Sequence, residues 1–308
     1  MAITREQAQQ AKDDALKDPE SPPNTDFDAS VLCLSPAEWE ARDLPPEDKL
    51  LGPFSTTARA ELSADTGLGK TMLGLALAHA MARGVPFLHW HPGRAGRVLY
   101  IDGEMPGELI KARLGAARSW FGLSEPLGRD RLCVLSKADV EDQMPPLDSP
   151  EGERWLLGFC EQVGRFDHIT FDNRACLTIG DLFGDDASTQ TVKSLQRELT
   201  KQKIGQLWLH HTGYETSRGY GRKSREWELD SVAVGERLEE QNDADVAMRI
   251  TFKKARRRTR DNRADYEPVE VTLQRGEWLW SPADTEARSV KTTLGRNNRS
   301  SSMPQPSC

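Results

Sequence analysis

Short apolar segments alternate with helical patterns between residues 60 and 210. Strands separated by helices are typical of a parallel sheet with helices on its faces. The helical segment 70–83 is apolar on almost every side, so it is predicted to lie buried against the sheet and to end at Gly84. The predicted strands are 60–62, 98–101, 132–135, 168–171 and 204–209.

The pattern changes after residue 209. A polar stretch rich in glycine, arginine and serine covers 212–228, and no further long helix follows it. Alternating apolar and polar residues at 246–252, 269–273 and 278–280 predict antiparallel strands, the last two joined by a turn at Arg275 and Gly276. The predicted fold class is therefore α/β, with a mainly parallel sheet flanked by helices and extended by antiparallel C-terminal strands.

The polar residues concentrate at the two ends of the chain. We predict a polar N-terminal extension over 1–48, one folded domain over 49–283 and a disordered C-terminal tail over 284–308. The sequence shows no signal-peptide core, no membrane-length apolar run and no CxxC pair among its five cysteines. These features predict a cytoplasmic protein without a membrane partner.

The charge balance restricts the possible partners. A net charge of −7 and a pI near 5.5 argue against attraction of the whole molecule to nucleic acid, so such binding requires a local basic patch. One basic segment, 253–263, either contacts phosphates or is a solvated loop. Its cations are Lys253, Lys254, Arg256, Arg257, Arg258, Arg260 and Arg263.

Residues 64–71, ADTGLGKT, match the phosphate-loop pattern GxxxxGK[ST], except that Ala64 replaces the first glycine. Glycines in such a loop let backbone N–H groups approach phosphates, and the following helix N-terminus favours the anion. Lys70 supplies a cation for the outer phosphates, and the Thr71 hydroxyl is expected to bind Mg²⁺. The predicted ATP-binding residues are Ala64, Asp65, Thr66, Gly67, Leu68, Gly69, Lys70, Thr71 and Met72.

Polar residues follow three other predicted strands. Asp172 ends one strand at the edge where ligands bind in open α/β sheets, and it is expected to hold Mg²⁺ through water. Glu104 follows another strand and is predicted to lie beside Asp172, where it can orient or deprotonate an attacking water. His210 and His211 follow the strand 204–209, where a histidine can donate a hydrogen bond to the terminal phosphate. Each acid is also a common turn or cap residue.

The segments LSADTGLGKTMLGLALAHAMA, RVLYIDGEMPGELIKARL, ITFDN, LWLHHTG and SREWELD follow one another in this order. Together they resemble the RecA-like ATPases related to RepA, the hexameric replicative helicase of certain plasmids. The resemblance covers about residues 50–280. It implies a RecA-like core, a homo-oligomeric, six-membered ring, ATP hydrolysis at subunit boundaries and movement along single-stranded DNA.

The resemblance also implies roles for individual residues. Lys70 and Thr71 take the Walker A role, and Asp172 is the Walker B acid. Glu104 corresponds to the catalytic carboxylate, and His211 corresponds to the phosphate sensor.

Further residues are implied by the resemblance, with one departure. Arg113 matches an arginine that supports the nucleotide site, although on sequence alone it would be a solvated helix residue. Arg218, Lys254 and Arg256 are the candidates for an arginine finger supplied to a neighbouring subunit. Tyr214 stands where many relatives have lysine, which leaves the contact made by that loop open.

Three functions fit these features. The first is an oligomeric, DNA-stimulated ATPase that acts as a helicase or translocase in the replication of a plasmid, phage or integrated element. The second is a RecA-like switch that loads or regulates a partner without separating strands. The third, a small-molecule kinase, shares the phosphate loop but gives no reason for Glu104 and His211.

Overall fold

The computed structural model describes residues 33–140, 142–179, 186–211, 226–238 and 243–283. The chain divides into two compact units, 1–46 and 47–308. Among the described residues of the first unit, one helix forms, α1 (Pro36–Glu40). The Ser35 hydroxyl accepts a hydrogen bond from the Glu38 N–H, and the Glu38 carboxylate accepts one from the Ser35 N–H. This capping box fixes the start of α1.

The second unit contains the remaining described elements. Its helices are α2 (Lys70–Arg83), α3 (Gly107–Trp120), α4 (Pro150–Val163), α5 (Arg174–Leu177) and α6 (Asp186–Lys201). Its strands are β1 (Lys49–Leu51), β2 (Phe54–Ser55), β3 (Arg59–Ala64), β4 (Val98–Asp102), β5 (Leu132–Ser136), β6 (His168–Asp172), β7 (Gly205–His211), β8 (Ser231–Arg237), β9 (Val246–Ala255), β10 (Val269–Gln274) and β11 (Glu277–Pro282).

Nine of the described strands form one sheet in the order β11-β10-β9-β8-β3-β7-β6-β4-β5. The strands from β8 to β5 run parallel, and β9, β10 and β11 extend the sheet in antiparallel fashion. This arrangement confirms the predicted fold class. Strand β8 was not predicted, because it follows closely on a polar stretch and contains a glycine, Gly235.

Helices cover both faces of the sheet. On one face, α2 packs against β4, β6 and β7, and its Leu73, Leu77 and Met81 are each at most 2% exposed. On the other face, residues of α4 and α6 pack against β6 and β7, with Phe171 and Trp208 stacked at their centre. The predicted burial of α2 is confirmed, as is its end at Gly84, which has a left-handed backbone.

The segment boundaries at residues 48 and 283 stay predictions, since residues 1–32 and 284–308 lie outside the described part of the chain. Among the helices that the structure describes, none combines the length and the apolar character that a bilayer crossing requires.

Candidate nucleotide-binding site

The glycine loop connects β3 to α2 at the carboxyl edge of the sheet. Gly67 and Gly69 have φ values of 76° and 87°, in the left-handed region that favours glycine. A Cβ atom on Gly69 would lie 2.5 Å from the Val246 side chain, so no larger residue fits there. Among the described residues no side chain caps the N-terminus of α2. The first N–H groups of α2 are therefore available to an anion.

The alanine at the first position of the loop is accommodated by a neighbouring strand. Ala64 ends β3, is fully buried, and is the register partner of Gly235 on β8. A Cβ atom on Gly235 would lie 3.0 Å from the Ala64 methyl group. Because β8 offers a glycine at this point, the extra methyl group fits without displacing the loop.

Lys70 lies inside the loop. Its ammonium group donates hydrogen bonds to the carbonyl oxygens of Ala64 at 2.6 Å and Asp65 at 2.7 Å. The residue is only 4% exposed, and burial lowers its pKa to about 8, against the opposing effect of nearby carboxylates. At neutral pH the side chain therefore remains mainly protonated, as an anion site requires.

Asp172 ends β6 beside the loop and is 4% exposed. Its Oδ2 atom accepts a hydrogen bond from the Tyr100 hydroxyl at 2.6 Å, and it is also hydrogen-bonded by the Thr71 side chain. Burial raises the pKa of Asp172 and also that of Tyr100. The structure thus brings together Thr71 and Asp172, the two residues predicted to hold Mg²⁺. Tyr100, which sequence reasoning missed, fixes the orientation of the carboxylate.

Asp102 is a second buried acid at this edge, on β4 in register with Asp172. Its Oδ1 atom accepts hydrogen bonds from the N–H groups of Met105 at 2.7 Å and Glu104 at 3.2 Å. Its Oδ2 atom is buried without a hydrogen-bond partner in the described part of the chain, and burial raises the pKa of Asp102 to about 6. An unpartnered carboxylate oxygen beside Asp172 is suited to a nearby cation or its bound water.

Glu104, Asn173, His211 and Thr66 form a hydrogen-bonded chain. The Asn173 amide nitrogen lies 2.6 Å from the Glu104 carboxylate and 3.0 Å from Nε2 of His211. Nδ1 of His211 lies 3.3 Å from the Thr66 hydroxyl in the glycine loop. Because an amide nitrogen only donates, Nε2 accepts and Nδ1 carries the proton. Burial and the Lys70 charge lower the pKa of His211, which favours this neutral form.

Sequence reasoning missed the role of Asn173, although the motif ITFDN contains it. The side-chain oxygen of Asn173 accepts a hydrogen bond of 3.2 Å from the Cys176 N–H, and the side chain thereby caps α5. Asparagine is a common residue at this helix position. The additional contact with Glu104 depends on β4 and β6 being neighbours in the sheet.

The predicted residues surround one cleft of about 470 Å³. Arg113 reaches it from α3, half-buried, with its guanidinium 3.0 Å from the Met105 sulfur. The volume suits a nucleotide, and the glycine loop and buried acids suit its phosphates and a divalent cation. No cluster of three or more His, Cys, Asp or Glu able to hold a metal occurs among the described residues. A Mg²⁺ ion held by Thr71 and Asp172 would take its further ligands from water and phosphate oxygens.

The basic segment lies at the end of the sheet where the parallel strands begin, opposite to the glycine loop. Lys254 lies near the end of β9 and Arg256 directly follows this strand. Because β9 runs antiparallel to β8, both residues lie near the start of β3 rather than at its end. Lys254 donates to the Glu226 carbonyl and to the Trp227 carbonyl at 3.1 Å, and Arg256 donates to the Trp227 carbonyl at 2.8 Å. Neither residue lines the nucleotide cleft of its own chain.

Two residues singled out by the sequence analysis, Arg218 and Tyr214, lie outside the described residues. The structure brings Lys70, Thr71 and Asp172 into one site together with Glu104 and His211. Their chemical roles stay predictions.

The fold and this cleft define a P-loop protein with a RecA-like core. A family model described as an AAA domain matches residues 28–217, more than half of the chain, and the protein belongs to this family. The fold is similar to that of a KaiC-like protein from the hyperthermophilic archaeon Pyrococcus horikoshii, with a TM-score of 0.50 and 13% sequence identity over 78% of this chain and 96% of that chain. No curated protein matches the sequence.

Proposed function

We propose that this protein is a ring-forming, Mg²⁺-dependent ATPase that works as a DNA helicase or translocase in the replication of a plasmid, phage or mobile element. The observation that carries the ATPase assignment is the convergence of the glycine loop, Asp172, Glu104 and His211 on one cleft. The relation to RepA-type helicases, the hexameric ring and the cytoplasmic location belong to the same proposal and are supported by the order of the sequence motifs.

The side chains divide the work of phosphoryl transfer. Lys70 and the N–H groups of α2 would bind the β- and γ-phosphates, and Thr71 and Asp172 would hold Mg²⁺. Bound Mg²⁺ neutralises charge that develops on the phosphate oxygens. Glu104 orients the attacking water and accepts its proton, while Asn173 holds the carboxylate in place.

His211 connects the cleft to the glycine loop. Its Nδ1 proton points to Thr66, and its Nε2 atom accepts a hydrogen bond from Asn173. A γ-phosphate within reach of Nδ1 would compete for that proton. Loss of the phosphate then returns the imidazole to Thr66, which is the behaviour expected of a phosphate sensor.

An exposed tryptophan amid cations supports the DNA part of the proposal. Trp227 is 67% exposed, and the Lys193 ammonium lies 5.7 Å from its ring centroid. Lys254 and Arg256 bind the carbonyl oxygen of the same residue. An aromatic ring on which a base can stack, surrounded by cations, is the combination that single-stranded nucleic acid binds.

A specific observation also favours the RecA-like switch that acts on a partner without unwinding. Several cations of the basic segment are neutralised within the chain. Arg257 contacts Glu47 at 2.6 Å, and both Arg258 and Arg263 contact Glu267, at 2.8 and 3.2 Å. Paired cations release fewer counterions from DNA, so they contribute less to its binding.

ATP turnover with and without single-stranded DNA distinguishes the two candidates. A motor is expected to hydrolyse ATP faster with DNA and to displace a labelled strand. The Trp227→Ala variant should lose DNA stimulation, whereas Trp39→Ala, a matched control at a tryptophan 52% exposed, should keep it. ATP turnover that is indifferent to DNA in the parent protein would favour the switch, and no turnover at all would contradict both.

A further inference from the structure

A second cavity, of about 600 Å³, lies between α2, α3 and β5. It is separate from the nucleotide cleft, because the two cavities touch opposite sides of α3. Leu109 and Arg113 face the nucleotide cleft, whereas Lys111, Leu114 and Arg118 line the second cavity. We call this second space the α3 cavity. Its volume is within the range of small-molecule sites.

The wall of the α3 cavity is largely apolar. Leu114, Leu127 and Val134 belong to the edge of the main core but are only half-buried, because the cavity lies over them. Gly115 deepens the space from the helix side. A Cβ atom placed on this glycine would meet nothing within 4 Å. The cavity therefore has room for an apolar ring system against α3 and β5.

A buried hydroxyl group points independently to a ligand. Ser136 ends β5 and lines the α3 cavity while being only 6% exposed. Its Oγ atom is buried and has no hydrogen-bond partner among the described residues. Buried hydroxyl groups are nearly always hydrogen-bonded, since an unpaired one is destabilising. A polar atom of a bound molecule would supply the missing partner.

The charges around the α3 cavity select the ligand class. Lys111 and Arg118 lie two turns apart on the cavity side of α3, and neither side chain has an ion pair or hydrogen bond with another described residue. Asp139 is the acid among the described lining residues, and burial lowers the pKa of His79, which favours the uncharged imidazole. Among the described lining residues, two cations and one acid give the cavity wall a net positive charge.

We propose that the α3 cavity is a binding site for a small apolar molecule that carries one acidic group. The apolar body packs against Leu114 and Val134, a polar atom meets Ser136, and the acidic group lies at Lys111 and Arg118. These residues come from a helix and from a strand of the main sheet, so the site is built on rigid elements.

Helix α3 connects this site to the nucleotide cleft and gives it a regulatory effect, and this part rests on the proposed function. The helix begins three residues after Glu104 and carries Arg113 into the nucleotide cleft. A ligand that shifts α3 would alter nucleotide affinity, and by linkage ATP would alter the affinity of that ligand by the same factor.

The binding proposal is tested without nucleotide, so its failure is distinguishable from failure of the ATPase proposal. The probe is 8-anilinonaphthalene-1-sulfonate, an apolar ring system with one acidic group, and its fluorescence reports binding. The matched neutral probe is N-phenyl-1-naphthylamine. We expect one site per chain and about tenfold tighter binding of the sulfonate, the effect of one charge-assisted hydrogen bond.

Variants then locate the site. Gly115→Leu should fill the cavity and abolish binding of the sulfonate probe, whereas Gly158→Leu should leave it intact. Gly158 is the control because it is also a helical glycine whose added Cβ would meet nothing within 4 Å, on α4 at the other face of the sheet. Replacing Lys111 and Arg118 together by glutamine should remove the preference for the sulfonate.

A direct measurement on the unaltered protein guards against a variant that fails to fold. Methyl NMR signals of Leu114 and Val134 should shift when the sulfonate probe is added. The proposal is overturned if Gly115→Leu and Gly158→Leu bind the probe equally well, if the glutamine variant keeps the sulfonate preference, or if the shifted methyl signals lie only at exposed apolar residues such as Leu279.

Discussion

Replacing Glu104 by glutamine separates catalysis from binding. The Glu104 side chain is 61% exposed, and its described contacts include the bond from the Asn173 amide at 2.6 Å. The glutamine side chain has the same shape and keeps an oxygen that can accept this bond. The free energy of unfolding should therefore change by less than about 1 kcal/mol, and ATP affinity should stay near that of the parent protein.

Turnover should respond very differently to the same substitution. A glutamine can hold the water but cannot accept its proton, so kcat is expected to fall about 100- to 10,000-fold. That loss corresponds to about 3–5 kcal/mol of activation free energy. The assay is single-turnover ATP hydrolysis beside equilibrium binding of a fluorescent ATP analogue.

The matched control for this experiment is Glu108→Gln, four residues along the chain. Glu108 is an exposed acid in the first turn of α3 and does not line the nucleotide cleft. The Glu108→Gln variant should hydrolyse ATP at the rate of the parent protein. If Glu104→Gln loses affinity and turnover together, Glu104 holds the metal or the fold instead. If turnover is unchanged, the carboxylate takes no part in the reaction.

Three further predictions follow from the same geometry. Lys70→Ala should abolish hydrolysis and sharply weaken ATP binding, because the buried ammonium faces the phosphate loop; full turnover in this variant would refute the phosphate-loop assignment. If Arg256 or Lys254 is an arginine finger for a neighbouring subunit, its alanine variant should lose ATP hydrolysis even without DNA. Mixing this variant with Lys70→Ala subunits should then restore part of the rate. If the variant instead shows lower DNA affinity with a weaker salt dependence, the basic segment binds the phosphates of DNA. Burial lowers the pKa of His168 to about 3 from 6.5, so this neutral imidazole contributes stability that is lost as the pH falls below 6.5. Between about pH 7 and pH 5 the parent protein should lose about 2 kcal/mol more unfolding free energy than His168→Leu, as measured with denaturant; equal slopes would show that the imidazole is protonated in the folded state.

The parts of the fold that the sequence predicted are those that depend on local pattern. The apolar helix after the glycine loop, its end at Gly84 and the predicted strands all follow from periodicity and from residues with special backbone preferences. The hydrophobic pattern did not predict β8, whose seven residues show no clear alternation of apolar and polar side chains. This strand matters to the site, because its Gly235 makes room for Ala64.

Residues that act through pairing between strands could not be predicted in the same way. Tyr100 reads as an ordinary apolar strand residue, and its hydroxyl finds Asp172 only because β4 and β6 are neighbours in a fixed register. The contact between Asn173 and Glu104 depends on the same pairing. Strand order is set by long-range packing, whereas sequence patterns report local conformation. Contacts between side chains of neighbouring strands therefore cannot be predicted from those patterns.

The basic segment shows why a charge cluster cannot be assigned by composition. As a sequence it offered two equivalent finger candidates, Lys254 and Arg256, but β9 runs antiparallel to the strand that carries the glycine loop. Both cations consequently lie at the end of the sheet opposite to the nucleotide cleft of their own chain, where they bind the carbonyl oxygen of Trp227. A finger role therefore requires a second subunit whose cleft faces that edge, and a DNA-binding role requires only the tryptophan and cations already assembled there. The second role makes fewer demands on the assembly, so the loss of DNA stimulation in Trp227→Ala is the more informative first measurement.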